Sequence, residues 1–163
     1  MAKQSSGLLI FRRPNVGLEV FLVHPGGPFW AKKDLGAWTI PKGEYSDGEQ
    51  ALAAAIREFK EETGFTVPQS NQADFLQLGT IKQAGGKLVS VWALEGDCDP
   101  AALVSNTFEL EWPPRSRRMA KFPEVDRGAW FSIAEARERI LKSQEPVLDL
   151  LDQRLNAAKP ESV

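Results

Sequence analysis

Cysteine is nearly absent from this chain. The one cysteine, Cys98, excludes an intramolecular disulfide and any CxxC zinc or redox motif. Histidine also occurs once, as His24, which excludes an HExxH centre and every other site built on two histidines. Any catalysis must therefore come from carboxylates, Lys and Arg, hydroxyls or a carboxylate-bound metal. Long apolar runs are missing too, and none approaches the roughly 18 residues a membrane-spanning helix needs. The opening MAKQSSGLLIFRR has too short an apolar run for a signal peptide and no small-residue cleavage site. A soluble cytoplasmic protein is the expectation. An excess of one charge is lacking: 20 Lys and Arg against 22 Asp and Glu leave a net charge of −2. That balance gives no whole-surface attraction for nucleic acid or anionic lipid and leaves room only for a local basic patch.

What remains is ordinary globular composition, 42% apolar and 26% charged, in 163 residues. One domain over residues 1–163 is expected, with 156–163 a frayed tail. Residues 7–12 and 18–24 read as strands around the turn Pro14-Asn15-Val16-Gly17. Trp38-Thr39-Ile40 reads as a short strand ended by Pro41, and 75–81 with 87–94 as a hairpin around Ala84-Gly85-Gly86. Gly128 to Phe131 is a last strand. Ser132 and Glu135 form a capping box for a helix over 133–141, and Pro146 opens a final amphipathic helix. Strands on both sides of a central helix suggest an α/β or α+β sandwich.

The most informative segment runs from Gly43 to Phe65. A helix is expected from Glu49 to Thr63, with Leu52, Ala55, Ile56, Phe59 and Thr63 as one stripe and Gly64 as its stop. With Leu52 as the centre of that stripe, Glu62 lies about 80° away, Glu58 about 120° and Glu61 about 180°. Like charges spaced i, i+3 and i, i+4 oppose each other, and a helix C-terminus disfavours anions. A solvated acidic face, softened by Arg57 and Lys60, is one reading. The other is a hard divalent cation held by carboxylate oxygens, of the kind that also recruits substrate phosphates.

The spacing of Gly43, Glu49, Arg57, Glu58, Phe59, Glu61, Glu62, Gly64 and Phe65 resembles the Nudix box of the MutT-type hydrolases. Seven fixed letters at about one in 15 each match by chance in about one of 10⁸ windows. The resemblance implies an α/β/α sandwich around a central mixed sheet. It implies that Glu58, Glu61 and Glu62 ligate Mg²⁺ or Mn²⁺, with the Gly43 carbonyl as a further ligand. Arg57 would orient a ligand carboxylate. Glu49 is a cap, an ion-pair partner or a ligand. The chemistry implied is attack of water on a diphosphate linkage in a nucleotide, with Glu61 or Glu124 as general base.

Two segments outside the box bear on the substrate. Trp38-Thr39-Ile40-Pro41-Lys42-Gly43 is similar to the WxxPKG arrangement of Nudix hydrolases of dinucleoside polyphosphates and diphosphoinositols. Lys42 is either a phosphate contact or a solvated lysine. The stretch between Glu111 and Glu124 carries Arg115, Arg117, Arg118 and Lys121 and no acid. Its Trp112 either stacks on a base or tucks into the core, and Phe29 and Trp30 either clamp a base or cover the core. The expected substrate is a dinucleoside polyphosphate or nucleoside triphosphate. The alternatives are an ADP-ribose or sugar-nucleotide hydrolase, an RNA 5′-pyrophosphate hydrolase, and a sensing module without turnover. The expected partner is a small nucleotide, with nucleic acid disfavoured, no membrane, and a monomer or homodimer. His24 reads as a strand-end structural residue, and Cys98 as a thiol with no basic neighbour to activate it.

Overall fold

A computed structural model describes residues 4–15, 17–67 and 74–157. The central strand is β1 (Gln4–Arg12). Its run Gly7 to Phe11 is buried without alternation, the pattern of a strand covered on both faces. It pairs in parallel with β5 (Leu88–Glu95) and antiparallel with β2 (Glu19–Pro25) and β3 (Lys42–Glu44). β4 (Leu76–Lys82) extends the sheet beyond β5, and β8 (Val125–Ser132) extends it beyond β2. The sheet is therefore mixed.

Alternate residues of β1 and β2 feed two cores. Leu8, Ile10, Phe21 and Val23 pack with Ala55 and Phe59 of α1 (Ala51–Thr63). Leu9, Phe11, Val20 and Leu22 pack with Ala136 of α2 (Ile133–Arg139) and with Val147, Leu148 and Leu151 of α3 (Pro146–Ala157). Helices thus cover both faces, giving the expected α/β/α sandwich. Burying Phe59 alone contributes about 1.5–3 kcal/mol of transfer free energy.

The sequence expectations fail in informative places. Trp38 to Ile40 forms only isolated bridges, Thr39 to Val23 and Trp38 to Ile140; the strand starts after Pro41, where Lys42 to Glu44 run along Ser5 to Gly7. α1 starts at Ala51, not Glu49, because Gln50 is still extended. Its buried stripe is Ala54, Ala55, Phe59 and Thr63, so the centre is shifted from Leu52. α2 ends at Arg139, while α3 continues through Ala157, so the first two residues of the expected frayed tail are helical; residues 158–163 lie outside the described residues. Ser132 caps α2 by accepting the Glu135 N–H. The basic stretch is not an irregular loop but the tip and returning arm of a hairpin, β6 (Thr107–Glu111) and β7 (Met119–Pro123).

Candidate active site

α1 presents its acids at graded depth. Taking Phe59 as the buried centre, Glu62 lies about 60° away, Glu58 about 100° and Glu61 about 160°. Burial follows that order: Glu62 and Glu58 are partly buried and Glu61 is exposed. β3 packs against this flank, and the Lys42 backbone N–H donates to Glu62 Oε2 at 3.3 Å. Gly43 sits so close to the Glu58 carboxylate that a Cβ there would run into it. This is the close approach that requires glycine.

Arg57 binds the group together. Its Nε and Nη2 donate to the two oxygens of Glu49 at 2.8 and 3.0 Å, and its Nη1 donates to Glu58 Oε1 at 2.8 Å. Nη1 also reaches both oxygens of Glu61 at 3.3 Å, and Nη2 reaches the Glu44 carbonyl at 3.3 Å. These bonds, that to Glu49 first, hold the guanidinium pKa above its ordinary value. Glu49 is an ion-pair partner of Arg57 in this structure, and its own carboxyl is held low by that bond.

The deeper acids are short of positive charge. Burial, and then the charge of Glu58, pushes the Glu62 carboxyl up to about 8. Burial likewise raises Glu58, against the pull of Arg57. Lys42, itself mostly buried, is pushed down by burial and by Lys87. The Ser6 hydroxyl, on the strand paired with Gly43, is buried with no hydrogen-bond partner. This donor set fits a hard divalent cation: three carboxylates, two of them destabilised as anions, beside an unused hydroxyl. Among the described residues no three such side chains are yet gathered tightly enough to hold an ion, since Glu58 and Glu61 are turned to Arg57.

Glu124 joins this group from the turn between β7 and β8. Its N–H donates to Asn106 O and its carbonyl accepts from Gly26 N–H, each at 2.9 Å. Its charge also raises Glu58 and Glu62. Lys42, Glu62 and Glu124 line one cleft of about 200 Å³, together with Trp30, Ile40 and Leu141. A larger, more open groove of about 730 Å³ beside Arg12, Cys98 and Trp130 contains none of the box residues. Arg12 is a basic neighbour of Cys98 that the sequence did not disclose, but burial outweighs it and pushes the thiol up to about 12.

The hairpin residues stand apart. Trp112, Arg115, Arg117, Arg118 and Lys121 do not line the cleft. The four cations are exposed and make no ion pair among the described residues, and Arg115 and Arg117 hold positive φ of 64° and 61°. Trp112 is half-buried and meets Phe29 edge-on at 5.5 Å. Sequence reasoning missed Leu141 and Gln144. The Gln144 side chain accepts from the Ile40 N–H at 2.9 Å and donates to Thr39 Oγ1 at 2.8 Å, steadying the approach to Lys42. No local pattern marks a contact across about a hundred residues.

The sheet order, the flanking helices and the Gly43 to Phe65 segment define one family. The sequence profile described as the NUDIX domain matches residues 3–151, and the chain belongs to the Nudix hydrolase family. The mouse protein named bis(5′-nucleosyl)-tetraphosphatase [asymmetrical] is 32% identical over 103 residues, covering 58% of this chain and 66% of that protein. The rat protein of the same name is 37% identical over 75 residues, 42% of this chain and 47% of that one. The chain thus spans between about half and two thirds of these relatives' lengths. Among solved structures, a Caenorhabditis elegans Ap4A hydrolase binary complex superposes with a TM-score of 0.65 at 23% identity, covering 94% of this chain and 98% of that one. The NUDIX domain of Shewanella oneidensis NrtR, complexed with ADP ribose, superposes equally well, TM-score 0.65, at 17% identity over 95% of this chain and 89% of that one. Both likenesses are likenesses of fold.

Proposed function

We propose that this chain, acting as a single domain, is a divalent-metal-dependent hydrolase that splits a diphosphate linkage in a nucleoside polyphosphate, with dinucleoside polyphosphates as its preferred class. The observation that carries this reading is the convergence of Glu62, Glu124 and Lys42 on one cleft, with Glu58 and Glu61 held beside them through Arg57. Glu58, Glu61 and Glu62 would hold Mg²⁺ or Mn²⁺, with the Gly43 carbonyl beside them. The bound ion would supply positive charge to phosphoryl oxygens and make water a better nucleophile.

The remaining work falls to the chain itself. Arg57 keeps Glu49, Glu58 and Glu61 aligned, and a bound ion would take over part of that charge. The Lys42 ammonium, partly desolvated, offers a phosphate a stronger contact than a fully hydrated lysine would. Glu124 or Glu61 would take the proton from the attacking water. Trp30, Ile40 and Leu141 give the cleft an apolar wall that limits competing water. The names of the mouse and rat relatives support the dinucleoside class. A Caulobacter vibrioides protein named RNA pyrophosphohydrolase, 42% identical over 59 residues covering 33% of each chain, supports the RNA alternative over that stretch.

The deciding experiment is a nucleotide panel with and without Mg²⁺, with products separated by chromatography. Higher kcat/KM for diadenosine tetraphosphate than for ADP-ribose or 5′-triphosphorylated RNA is expected. Binding of nucleotides without turnover of any of them would replace the enzyme reading with a sensing module.

A further inference from the structure

Among the described residues His24 is the largest titratable side chain that is completely buried, and the chemistry above does not use it. Its Nε2 lies 2.6 Å from the Lys33 carbonyl oxygen, and its Nδ1 lies 2.9 Å from Asp126 Oδ1. A carbonyl only accepts, so Nε2 donates. The Nδ1 contact with Asp126 is the ring's second hydrogen bond. Trp38 packs edge-on against the ring at 5.3 Å.

The two segments joined by this ring each carry a lining residue of the cleft. Lys33 closes a turn on Trp30, whose carbonyl accepts the Lys33 N–H at 3.0 Å, and the Lys33 ammonium stands 5.0 Å from the centre of the Trp30 ring. Asp126 lies two residues beyond Glu124 on β8. Beyond Lys33 the chain is anchored separately, through Asp34 to Trp38 Nε1 and Arg139 and through the Gly36 N–H to the Glu138 carbonyl. Before it, the Gly26 N–H reaches Glu124 O. Among the described residues, the bond from His24 to the Lys33 carbonyl is the one hydrogen bond tying residues 27–33 to the rest of the chain.

We propose that His24 is a positioning residue: a buried latch that ties the Trp30 loop to β8, so that Trp30 and Glu124 keep their places around the cleft. This rests on the reading of that cleft as the substrate site. The latch acts on the apolar wall more than on the acids, because the Glu124 backbone has its own bonds to Asn106 and Gly26. Loss of the latch therefore weakens substrate binding more than the chemical step.

The test compares wild type with His24→Phe, which fills the space without donating, and with Asp126→Ala and Asp126→Asn. Native-state trypsin cleavage after Lys32 or Lys33 should speed up at least about tenfold in the first two, with cleavage elsewhere unchanged, since only the loop is released. KM should rise about tenfold while kcat stays within about threefold, the pattern of lost ground-state binding. Asp126→Asn should restore both values, because an amide still hydrogen-bonds Nδ1. If His24→Phe does not fold, Asp126→Ala, altered at a partly exposed side chain, carries the test alone. Unchanged loop cleavage and KM in every variant that folds, or equal loss of kcat and KM, would overturn the latch. A wild type that hydrolyses nothing with Mg²⁺ would instead reject the functional reading, and the trypsin comparison would still decide the latch.

Discussion

Arg57 and Arg117 are the same residue in opposite situations. Arg57 donates to Glu49, Glu58, Glu61 and the Glu44 carbonyl. Arg117, with Arg115, Arg118 and Lys121, has no ion-pair partner among the described residues and stands exposed at a hairpin tip. Elsewhere Arg12, Arg13, Arg137 and Arg139 all pair with acids. In this molecule a paired arginine arranges the protein's own carboxylates. The hairpin cations leave positive charge that no acid among the described residues pairs with.

The strongest way to break this contrast is at the acids. Glu62→Gln and Glu61→Gln should each lower kcat by at least about 10²-fold, the low end for lost acid–base or metal-site function. Glu62→Gln should fold without loss of stability, since it removes a buried anion and no apolar contact. Steady-state kinetics over a Mg²⁺ titration, beside a melting curve, decide it. Full activity of both variants at saturating Mg²⁺ would reduce the acids to a solvated helix face.

Glu49 sharpens the same side of the comparison. It sits before α1 and is joined to the acids through Arg57. Glu49→Gln should therefore cost less than Glu61→Gln, with part of the deficit recovered at high Mg²⁺. A loss as large as that of Glu61→Gln and indifferent to metal would make Glu49 a direct ligand.

The hairpin supplies the next test. A charge-assisted contact contributes about 1.5–3 kcal/mol, or about one to two decades in kcat/KM. Arg117→Ala with Arg118→Ala should raise KM for diadenosine tetraphosphate by about tenfold and leave ADP-ribose nearly untouched. Added salt should erode the wild-type preference in the same direction, because exposed charges are screened within about 10 Å at 0.1 M. An unaltered substrate ratio would separate the hairpin from the polyphosphate chain.

The two regions also differ in how far the sequence disclosed them. The helix was legible because one turn relates Glu58 to Glu61 and Glu62, and the box spacing fixes its neighbours. Its phase differs from the apolar pattern: Leu52 is only half-buried, whereas Ala54 and Ala55 lie deepest beside Phe59. Glu49 precedes α1, so no helical phase relates it to the acids, yet a long arginine side chain links them. The hairpin arms escaped notice because Thr107–Glu111 and Met119–Pro123 alternate only half-buried and exposed residues, with Glu109 paired opposite Lys121. His24 was read as structural, but Asp126 is 102 residues away, and no spacing rule reaches that far.

The smallest expected effect lies at a paired charge outside the site. Asp34 Oδ1 accepts the Trp38 Nε1–H at 2.8 Å, and its carboxylate takes two bonds from Arg139 Nη1 at 3.1 and 3.0 Å. The Trp38 bond first, and then the Arg139 charge, hold the Asp34 carboxyl below its ordinary value, against some desolvation. A depressed carboxyl contributes stability that is complete above its unfolded pKa and disappears as pH falls through the folded one. Asp34→Asn keeps an acceptor for Trp38 and gives up the ion pair. Because the side chain is 48% exposed, screening keeps the effect small, and Tm at pH 7 should fall by only about 2 °C. The wild-type and variant melting curves should draw together as pH falls below the ordinary carboxyl range. A deficit that persists unchanged in acid would mean that Asp34 contributes through packing against Trp38 and not through its charge. The rule that paired charges in this molecule act as electrostatic ties would then fail at this position.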